Sequence, residues 1–266
     1  MITVRGIYDY LNEIAPVDLR IGDDNVGLLV GRGSAPVTKV MVALDITPEV
    51  IGEAASWEAE LIVSHHAVIP FRISGVTDRD YTGERVLMLI ENGIAAICMH
   101  TNLDIAIGGV NDTLASRIGL TNIEVIPDPS LSPKGDRGVC RMGTLPEPME
   151  IEAFALHVKR SLGGNGIKYL PAGREVRKVA VGGGSCGSDI HLVAAAGCDT
   201  FVTSDIKHAH MLEAGWLGIN LLDAGHFPTE DVICGVLADS LRARFPGLEV
   251  RKSEKLTDPM KYIGDV

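Results

Sequence analysis

The sequence alternates short apolar segments with helical segments, and this alternation restricts the fold more than any other feature. The segment 38–46 reads TKVMVALDI and is followed by Thr47, Pro48 and Glu49, which are typical of a helix start. The apolar segment ELIVSHH follows that helix, and IAAICMHTNLD follows the next helical segment, GERVLMLIENG. Apolar strands that alternate with helices predict a parallel sheet buried on both faces.

The same alternation returns in the C-terminal part of the chain. Strand segments RKVAVGGG, CDTFVTSD and INLLDAGH alternate there with helical segments SDIHLVAAAG, HAHMLEAGWLG and TEDVICGVLADSLRARF. Aligning the two parts places KVMVALDI on KVAVGGGS, and NGIAAICMHTNLD on LGINLLDAGHFPTE. We therefore predict an α/β fold with parallel-rich sheets flanked by helices, in two similar halves related by internal duplication.

The two halves and the stretch that joins them predict a division into three segments. Residues 1–123 form the N-terminal α/β half, residues 124–175 a loop-rich connection, and residues 176–266 the C-terminal α/β half. The connection is predicted to contain one short strand, GVCRMGTL, and one helix, IEAFALHVKRSLG. Its prolines are Pro127, Pro129, Pro133, Pro146, Pro148 and Pro171.

Composition excludes several classes of protein. The chain has 266 residues, of which 46% are hydrophobic and 22% charged, as is usual for a soluble globular protein. The first residues lack the apolar core of a signal peptide, and no apolar run approaches the ~20 residues that span a bilayer. We therefore expect a cytoplasmic protein without a membrane partner. The net charge of −11 argues against a nucleic-acid-binding surface, which needs clustered lysine and arginine.

The five cysteines are an odd number and contain no CxxC pair. In a chain without a secretion signal they are expected to be reduced thiols, mostly in the core. Cys186, within GGGSCGSD, is the one in a loop-like setting. There the sequence favours a small residue in a turn over a reactive thiol.

Unusual polar residues stand where predicted strands end. They are His65 and His66, Asp104 and, further on, His226 and Glu230. Ligands of open parallel sheets bind outside the carboxyl ends of the strands. Five nitrogen and oxygen ligands exceed one tetrahedral zinc site and fit two divalent ions bridged by carboxylates. Histidines at strand ends are also common as hydrogen-bonded surface or cap residues, so these residues alone leave both interpretations open.

The spacing of His226 and Glu230 supports a shared role. Pro228 is predicted to start a helix, which places Glu230 in the first turn, directed back toward the strand end. His100, four residues before Asp104 in an apolar segment, is expected to be a packed residue behind the ligands.

Five stretches of the sequence together resemble one known family. They are DDNVGLLVG (23–31), SHHAV (64–68), HTNLDIAIGGVND (100–112), TSDIKHAH (203–210) and LLDAGHFPTE (221–230). In this order they resemble the GTP cyclohydrolase 1 type 2 homologue family, also called the NIF-three-like proteins. The matches run from near residue 20 to near residue 235 and so cover most of the chain. At 266 residues the chain resembles the short form, which lacks an inserted domain.

The resemblance implies a two-metal site in an α/β fold and assembly of the subunits into a homohexameric ring. Carried over by position, the family's metal ligands fall on His65, His66, Asp104, His226 and Glu230. The implied cofactors are two divalent cations per subunit, such as Zn, Fe or Mn. The implied partner is another copy of the chain, with a small molecule as a further partner if the site is an enzyme's.

Three positions depart from the family pattern. Ala67 replaces a proline after the histidine pair, which loosens the predicted turn. Ser204 replaces the glycine of a TGD motif and is tolerable only if that position does not need a positive φ. Ala209 stands between His208 and His210 where the family often has a histidine.

Two hypotheses for function follow from the predicted site and the resemblance. The first is a metal-dependent hydrolase that acts on a nucleotide, by opening the purine ring of GTP, or on a phosphoester. Asp205 and Lys207 are its catalytic candidates, for proton handling and anion contact, although a helix cap and a solvated lysine explain them equally well. The second hypothesis is a non-catalytic metal-binding or adaptor ring protein.

Overall fold

The computed structural model describes residues 1–132 and 134–263, so Pro133 and residues 264–266 lie outside the described residues. The strands are β1 (Gly27–Val30), β2 (Lys39–Ala43), β3 (Leu61–Ser64), β4 (Ala95–Cys98), β5 (Thr121–Val125), β6 (Arg141–Met149), β7 (Lys168–Leu170), β8 (Val176–Val181), β9 (Thr200–Thr203), β10 (Asn220–Asp223) and β11 (Glu249–Lys252). The α-helices are α1 (Val4–Ile14), α2 (Pro48–Ser56), α3 (Tyr81–Glu91), α4 (Thr101–Ile105), α5 (Val110–Arg117), α6 (Ile151–Leu162), α7 (Ile190–Ala195), α8 (His208–Leu217), α9 (His226–Glu230) and α10 (Val232–Arg244). The predicted α/β class is confirmed.

The chain divides into two compact units. The first unit comprises Met1–Ala106 and Ile233–Thr257, and the second comprises Ile107–Val232 with the C-terminal residues from Asp258. This division differs from the predicted segments 1–123, 124–175 and 176–266. The predicted connection does not stand apart, because its residues supply strands and a helix to the second unit. Conversely, α10 and β11 belong to the first unit although they lie near the end of the sequence.

The first unit is built on a five-stranded sheet with the order β1-β4-β3-β2-β11. All neighbours in it are parallel except β1, which runs antiparallel to β4. Every residue of β3 and β4 is buried, as expected for central strands covered on both faces. Met41 and Ile62 from the sheet pack with Val50 of α2 and Leu89 of α3. Each such buried side chain contributes roughly 1.5–3 kcal/mol to folding.

The second unit is built on a six-stranded sheet with the order β5-β6-β8-β9-β10-β7. Its centre, β8-β9-β10, is parallel as predicted. Strands β5, β6 and β7 extend it by antiparallel pairing, so this sheet is mixed at its edges. The strand predicted in GVCRMGTL is β6, which continues to Met149, and the predicted helix after it is α6.

The two units contain matching hydrogen bonds and strand registers at aligned positions of the sequence. Lys39 of β2 and Lys178 of β8 occupy aligned positions, and their backbone N–H groups donate to Glu60 and Asp199, which are also aligned. Each lysine Nζ donates to the carbonyl of the C-cap residue that follows the next helix, Trp57 after α2 and Ala196 after α7. The strand registers agree as well, since residue 40 pairs with residue 61 and residue 179 with residue 200. These matched contacts support the internal duplication.

Helix α2 begins as the sequence predicts. Thr47 Oγ1 accepts a hydrogen bond of 3.3 Å from the Val50 N–H, and Pro48 occupies the first helical position. This cap satisfies one of the backbone donors that a helix N-terminus leaves open.

The segment IAAICMHTNLD does not form one strand. Strand β4 ends at Cys98, and Thr101–Ile105 form the short helix α4. The Thr101 N–H donates to Asp24 Oδ2 at 3.1 Å, and this carboxylate stabilises the start of the helix. Asp104 therefore lies on a helix that follows the strand, not at the strand end itself.

Within residues 1–132 and 134–263, no helix combines the length and apolar character that crossing a bilayer requires.

Candidate metal-binding clusters

His65 and His66 follow β3 directly, as predicted, and their rings lie close together. Their centroids are 5.0 Å apart and the ring planes are tilted by 47°. The His65 and His66 N–H groups still donate to the carbonyls of Ala43 and Leu44, so the backbone continues along β2 beyond the end of the strand. His65 is fully buried, whereas the side chain of His66 is partly exposed.

A third histidine joins this pair. The His100 ring centroid lies 5.2 Å from that of His65 and 5.5 Å from that of His66. One ring nitrogen from each of the three histidines lies within 4.8 Å of the other two. The sequence favoured a packed residue at position 100, but the structure places a partly exposed imidazole beside the candidate ligands.

The Nδ1 atom of each of these three histidines bonds to an oxygen acceptor. His65 Nδ1 lies 2.8 Å from the Met99 carbonyl oxygen. His66 Nδ1 lies 2.8 Å from Asp45 Oδ1, and His100 Nδ1 lies 2.9 Å from both Asp24 oxygens. A carbonyl or carboxylate oxygen can only accept, so Nδ1 carries the proton and, in the neutral ring, Nε2 carries the lone pair. Metal-binding histidines in proteins show this same arrangement.

Asp104 completes the cluster of the first unit. Its Oδ1 atom lies 3.6 Å from His65 Nε2, and the residue is buried. Helix α4 directs this carboxylate toward the nitrogen that holds the lone pair. The arrangement brings together three of the five predicted ligands: His65, His66 and Asp104.

Asp24 is held in its charged form. Burial would raise the pKa of Asp24, but the hydrogen bonds from His100 and Thr101 outweigh it and lower that pKa to about 2. Asp24 therefore stays an acceptor for His100 Nδ1 at any pH near neutrality. DDNVGLLVG contains this residue, yet its sequence position gave no signal of the contact.

The second unit contains the other two predicted ligands, His226 and Glu230, at the ends of α9. His226 Nε2 lies 2.9 Å from Glu230 Oε2, as expected for positions i and i+4 of a helix. His226 Nδ1 lies 2.6 Å from Asp205 Oδ2, which repeats the pattern of the first unit. The prediction that Pro228 starts the helix was wrong, because α9 begins at His226, after Gly225 with φ 86°.

A glycine-rich turn after β8 packs against Glu230. A Cβ atom at Gly184, where φ is +63°, would lie 2.1 Å from Glu230 Oε1 and 3.2 Å from His226 Nε2. The turn is held by Asn111, whose Oδ1 accepts from the Gly183 N–H at 2.7 Å, and by Thr229, whose Oγ1 accepts from the Gly184 N–H at 3.1 Å. Asn111 belongs to the GGVND motif, so this contact gives that motif a structural role.

Gly184→Ala should weaken metal binding by at least tenfold, because the new methyl group would displace the Glu230 carboxylate. The matched control is Gly173→Ala, since Gly173 also has a positive φ of +72° but has no atom within 4 Å of the added Cβ. Both variants lose roughly 1–2 kcal/mol of stability from the left-handed backbone. Metal titration of the two proteins measures the loss of metal affinity, and thermal unfolding measures the loss of stability that both substitutions cause. Equal metal affinity in both would show that Glu230 is not a ligand.

The catalytic candidates Asp205 and Lys207 differ in their surroundings. Asp205 bonds to His226 and has φ 51°, so the positive φ of this turn falls on Asp205 and not on Ser204. Ser204 is buried and its Oγ donates to the Gly184 carbonyl at 2.7 Å, which explains why serine is tolerated there. Lys207 is exposed and precedes α8.

His208 and His210, which flank Ala209, belong to none of the candidate metal-binding groups found among the described residues. His208 is exposed at the start of α8, whereas His210 is partly buried and its ring lies against Gly187. A Cβ atom at Gly187 would lie 2.6 Å from His210 Nδ1. His210 therefore packs on the short 3-10 helix Gly187–Asp189.

The fold and the histidine–carboxylate clusters define an α/β protein with candidate metal-binding groups. The profile of the family described as Duf34/NIF3 (NGG1p interacting factor 3) matches residues 2–259. The chain belongs to this family.

Relatives and solved structures agree with this assignment. A Clostridium perfringens protein named "GTP cyclohydrolase 1 type 2 homolog" is 33% identical over 98% of this chain and 99% of its own length. A Streptomyces coelicolor protein of the same name is 35% identical over 94% of this chain and 90% of its own length. The crystal structure of a Staphylococcus aureus hypothetical protein superposes with a TM-score of 0.89 at 28% identity and covers 98% of this chain and 99% of its own.

Proposed function

We propose that the chain binds two divalent cations through His65, His66, Asp104, His226 and Glu230. The observation that carries this proposal is the partner of each histidine Nδ1. In all three of these histidines Nδ1 bonds to a carbonyl or carboxylate oxygen, so in the neutral ring Nε2 carries the lone pair with which an imidazole binds a metal. Imidazole and carboxylate ligands suit Zn, Fe or Mn.

We further propose that the protein is a metal-dependent hydrolase. Bound divalent cations would supply an activated water and stabilise negative charge on the attacked group. Asp205 orients His226 by accepting from its Nδ1, and its half-exposed carboxylate also faces solvent. Glu230, 4% exposed, offers a carboxylate that hardly contacts bulk water. The name of the bacterial relatives supports GTP ring opening as the first reaction to test, with phosphoester hydrolysis as the second.

A cavity of about 400 Å³ beside His226 supports a small-molecule substrate. Phe227 and Tyr262 contribute aromatic faces to it, and Lys168 and Lys261 contribute ammonium groups. Aromatic faces suit a purine ring and ammonium groups suit phosphates. Lys168 Nζ is also paired with Asp223 Oδ2 at 2.7 Å, and this hydrogen bond raises the pKa of Lys168. The lysine therefore remains charged at neutral pH.

The activity test uses purified protein loaded separately with zinc, iron or manganese. Ring opening of GTP would appear as loss of the purine absorbance together with release of formate, and a chromogenic phosphodiester provides the second assay. Chelated protein is the blank, and Lys168→Ala should raise KM for GTP more than it lowers kcat. If no metal-loaded form turns over either substrate while chelation dissociates the oligomer, the non-catalytic metal-binding or adaptor ring replaces the hydrolase.

The protein should assemble as a homohexamer, as the family resemblance implies. Two apolar side chains one turn apart on α8 are consistent with this, since Leu212 is 64% exposed and Trp216 is 83% exposed. Trp57 and Leu217 are partly buried in their own units. Light scattering at micromolar concentration should give a mass near six chains. Leu212→Asp with Trp216→Asp should lower it, and a monomeric wild-type protein would contradict the ring.

A further inference from the structure

The second unit contains a cluster of two thiols and a carboxylate that the proposed function does not use. Cys140 directly precedes β6. Cys186 directly precedes the 3-10 helix Gly187–Asp189, and Asp189 is the last residue of that helix. The Sγ atoms of Cys140 and Cys186 and one carboxylate oxygen of Asp189 all lie within 4.8 Å of one another. From the sequence, Cys186 was interpreted as a small residue in a turn, and its partner 46 positions earlier gave no local signal.

We propose that Cys140, Cys186 and Asp189 form a third cation site, specific for a thiophilic divalent ion such as Zn²⁺. The distance from Cys140 Sγ to Asp189 Oδ2 is 3.5 Å. With Zn–S of about 2.3 Å and Zn–O of about 2.0 Å, a tetrahedral ion sets sulfur and oxygen ligands about 3.5 Å apart. The observed distance between Cys140 Sγ and Asp189 Oδ2 therefore already matches the separation that a zinc ion would impose. Three protein ligands would leave the fourth position for water.

A carboxylate beside the thiols distinguishes this cluster from ordinary core cysteines. Cys140 is 2% exposed and lies in the same apolar core cluster as Cys198, which packs as a small hydrophobic side chain. Asp189 is only partly accessible, and its Oδ2 accepts from Cys140 Sγ. A thiol is a weak donor, so this contact offsets little of the cost of withdrawing the carboxylate from water. A divalent cation would offset it by binding all three groups in their ionised forms. The partly exposed Cys186 side gives the ion access from solvent.

Gly182 creates the space in which the two sulfur atoms converge. The pairing of Arg141 with Val181 places Cys140 opposite Gly182, the residue after β8. A Cβ atom at Gly182 would lie 2.7 Å from Cys186 Cβ and 3.0 Å from each of the two Sγ atoms. Any side chain at this position would push the thiols apart, so Gly182→Ala tests the geometry without removing a ligand.

Cobalt(II) is the probe, because thiolate ligands give an intense near-ultraviolet charge-transfer band that imidazole and carboxylate ligands do not give. Reduced wild-type protein titrated with Co²⁺ should show the band and bind one ion more than Cys140→Ser with Cys186→Ser. Competition with a chromogenic chelator should show an affinity loss of at least about 100-fold in that variant and at least about tenfold in Gly182→Ala. Cys198→Ser and Cys98→Ser are the matched controls and should keep the band.

The two sites can be tested independently. His65→Ala with His226→Ala should keep the thiolate band while losing the ions of the proposed hydrolase centre, so failure of one proposal leaves the other standing. If Cys140→Ser does not fold, Cys186→Ser and Asp189→Asn, which alter less buried positions, decide the question. Absence of the band in wild-type protein would overturn the site. A Cys140–Cys186 disulfide in the purified protein, together with no cobalt binding once that disulfide has been reduced, would overturn it as well.

Discussion

Replacing His65 and His226 together with alanine should reduce the metal content from the proposed two ions per chain to a small residual fraction. The double substitution removes one Nε2 ligand from each of the two histidine–carboxylate clusters. The ligands that remain, His66 and the two carboxylates, should bind such ions only weakly, because loss of even a supporting contact costs about 10–100-fold in affinity. Elemental analysis of protein purified without chelator measures the effect.

The matched control is His191→Ala. His191 Nε2 lies 2.6 Å from Glu213 Oε1, so it is also a histidine paired with a carboxylate, but this pair is exposed and belongs to neither cluster. The control should retain the full metal content. Full retention by the double variant would rule out both histidines as ligands and leave them as hydrogen-bonded residues at strand ends.

The parallel centre of each sheet could be predicted from the sequence because the signals for it are local. The capping residues Thr47 and Pro48 and the apolar runs of β2, β3, β8 and β9 lie within a few positions of the elements they specify. The edges of the sheets could not be predicted in this way. Strand β11 pairs with β2, although about 200 residues separate them, and β7 pairs with β10, which lies about 50 residues later.

Helix α4 illustrates why the predicted strand was too long. Nothing in MHTNLD breaks a strand locally, and five residues are too few for an intrinsic helix signal. Its first N–H group and the Thr101 hydroxyl both bond to Asp24, which lies 77 residues earlier. The helix is thus specified by a tertiary contact, and that contact decides where Asp104 points.

The candidate ligands and their supporting residues also differ in how predictable they are. His65 and His66 are adjacent and His226 and Glu230 are four apart, so spacing marks them as candidates, and the family resemblance is what favours ligands over cap residues. Asp45, which accepts from His66, is 21 residues away from it in sequence. A histidine at a strand end can be recognised in the sequence as a candidate ligand. The oxygen that accepts from its Nδ1 cannot, because the folded sheet brings that residue close from a distant position in the sequence.

Glu230→Gln should abolish any hydrolysis and weaken the binding of at least one ion, although the side chain keeps its size. Glu230 is buried, and a neutral amide cannot supply the negative charge with which this carboxylate would hold a divalent cation. Glu213→Gln is the matched control, because it neutralises the carboxylate of an exposed histidine pair. Activity and metal content should be unchanged in the control.

Stability gives a second, opposite readout for Glu230→Gln. Glu230 Oε2 lies 2.9 Å from His226 Nε2, the ring nitrogen that accepts when Nδ1 donates to Asp205. A Gln amide can donate to that nitrogen and an ionised carboxylate cannot, so metal-free Glu230→Gln should unfold at the same temperature as metal-free wild type or above it. Adding metal should raise the Tm of wild type, because an ion that binds only the folded state stabilises it by mass action. The same addition should raise the Tm of Glu230→Gln much less. An unchanged metal-induced rise together with wild-type activity would reduce Glu230 to the residue that ends α9, with no part in binding the ions.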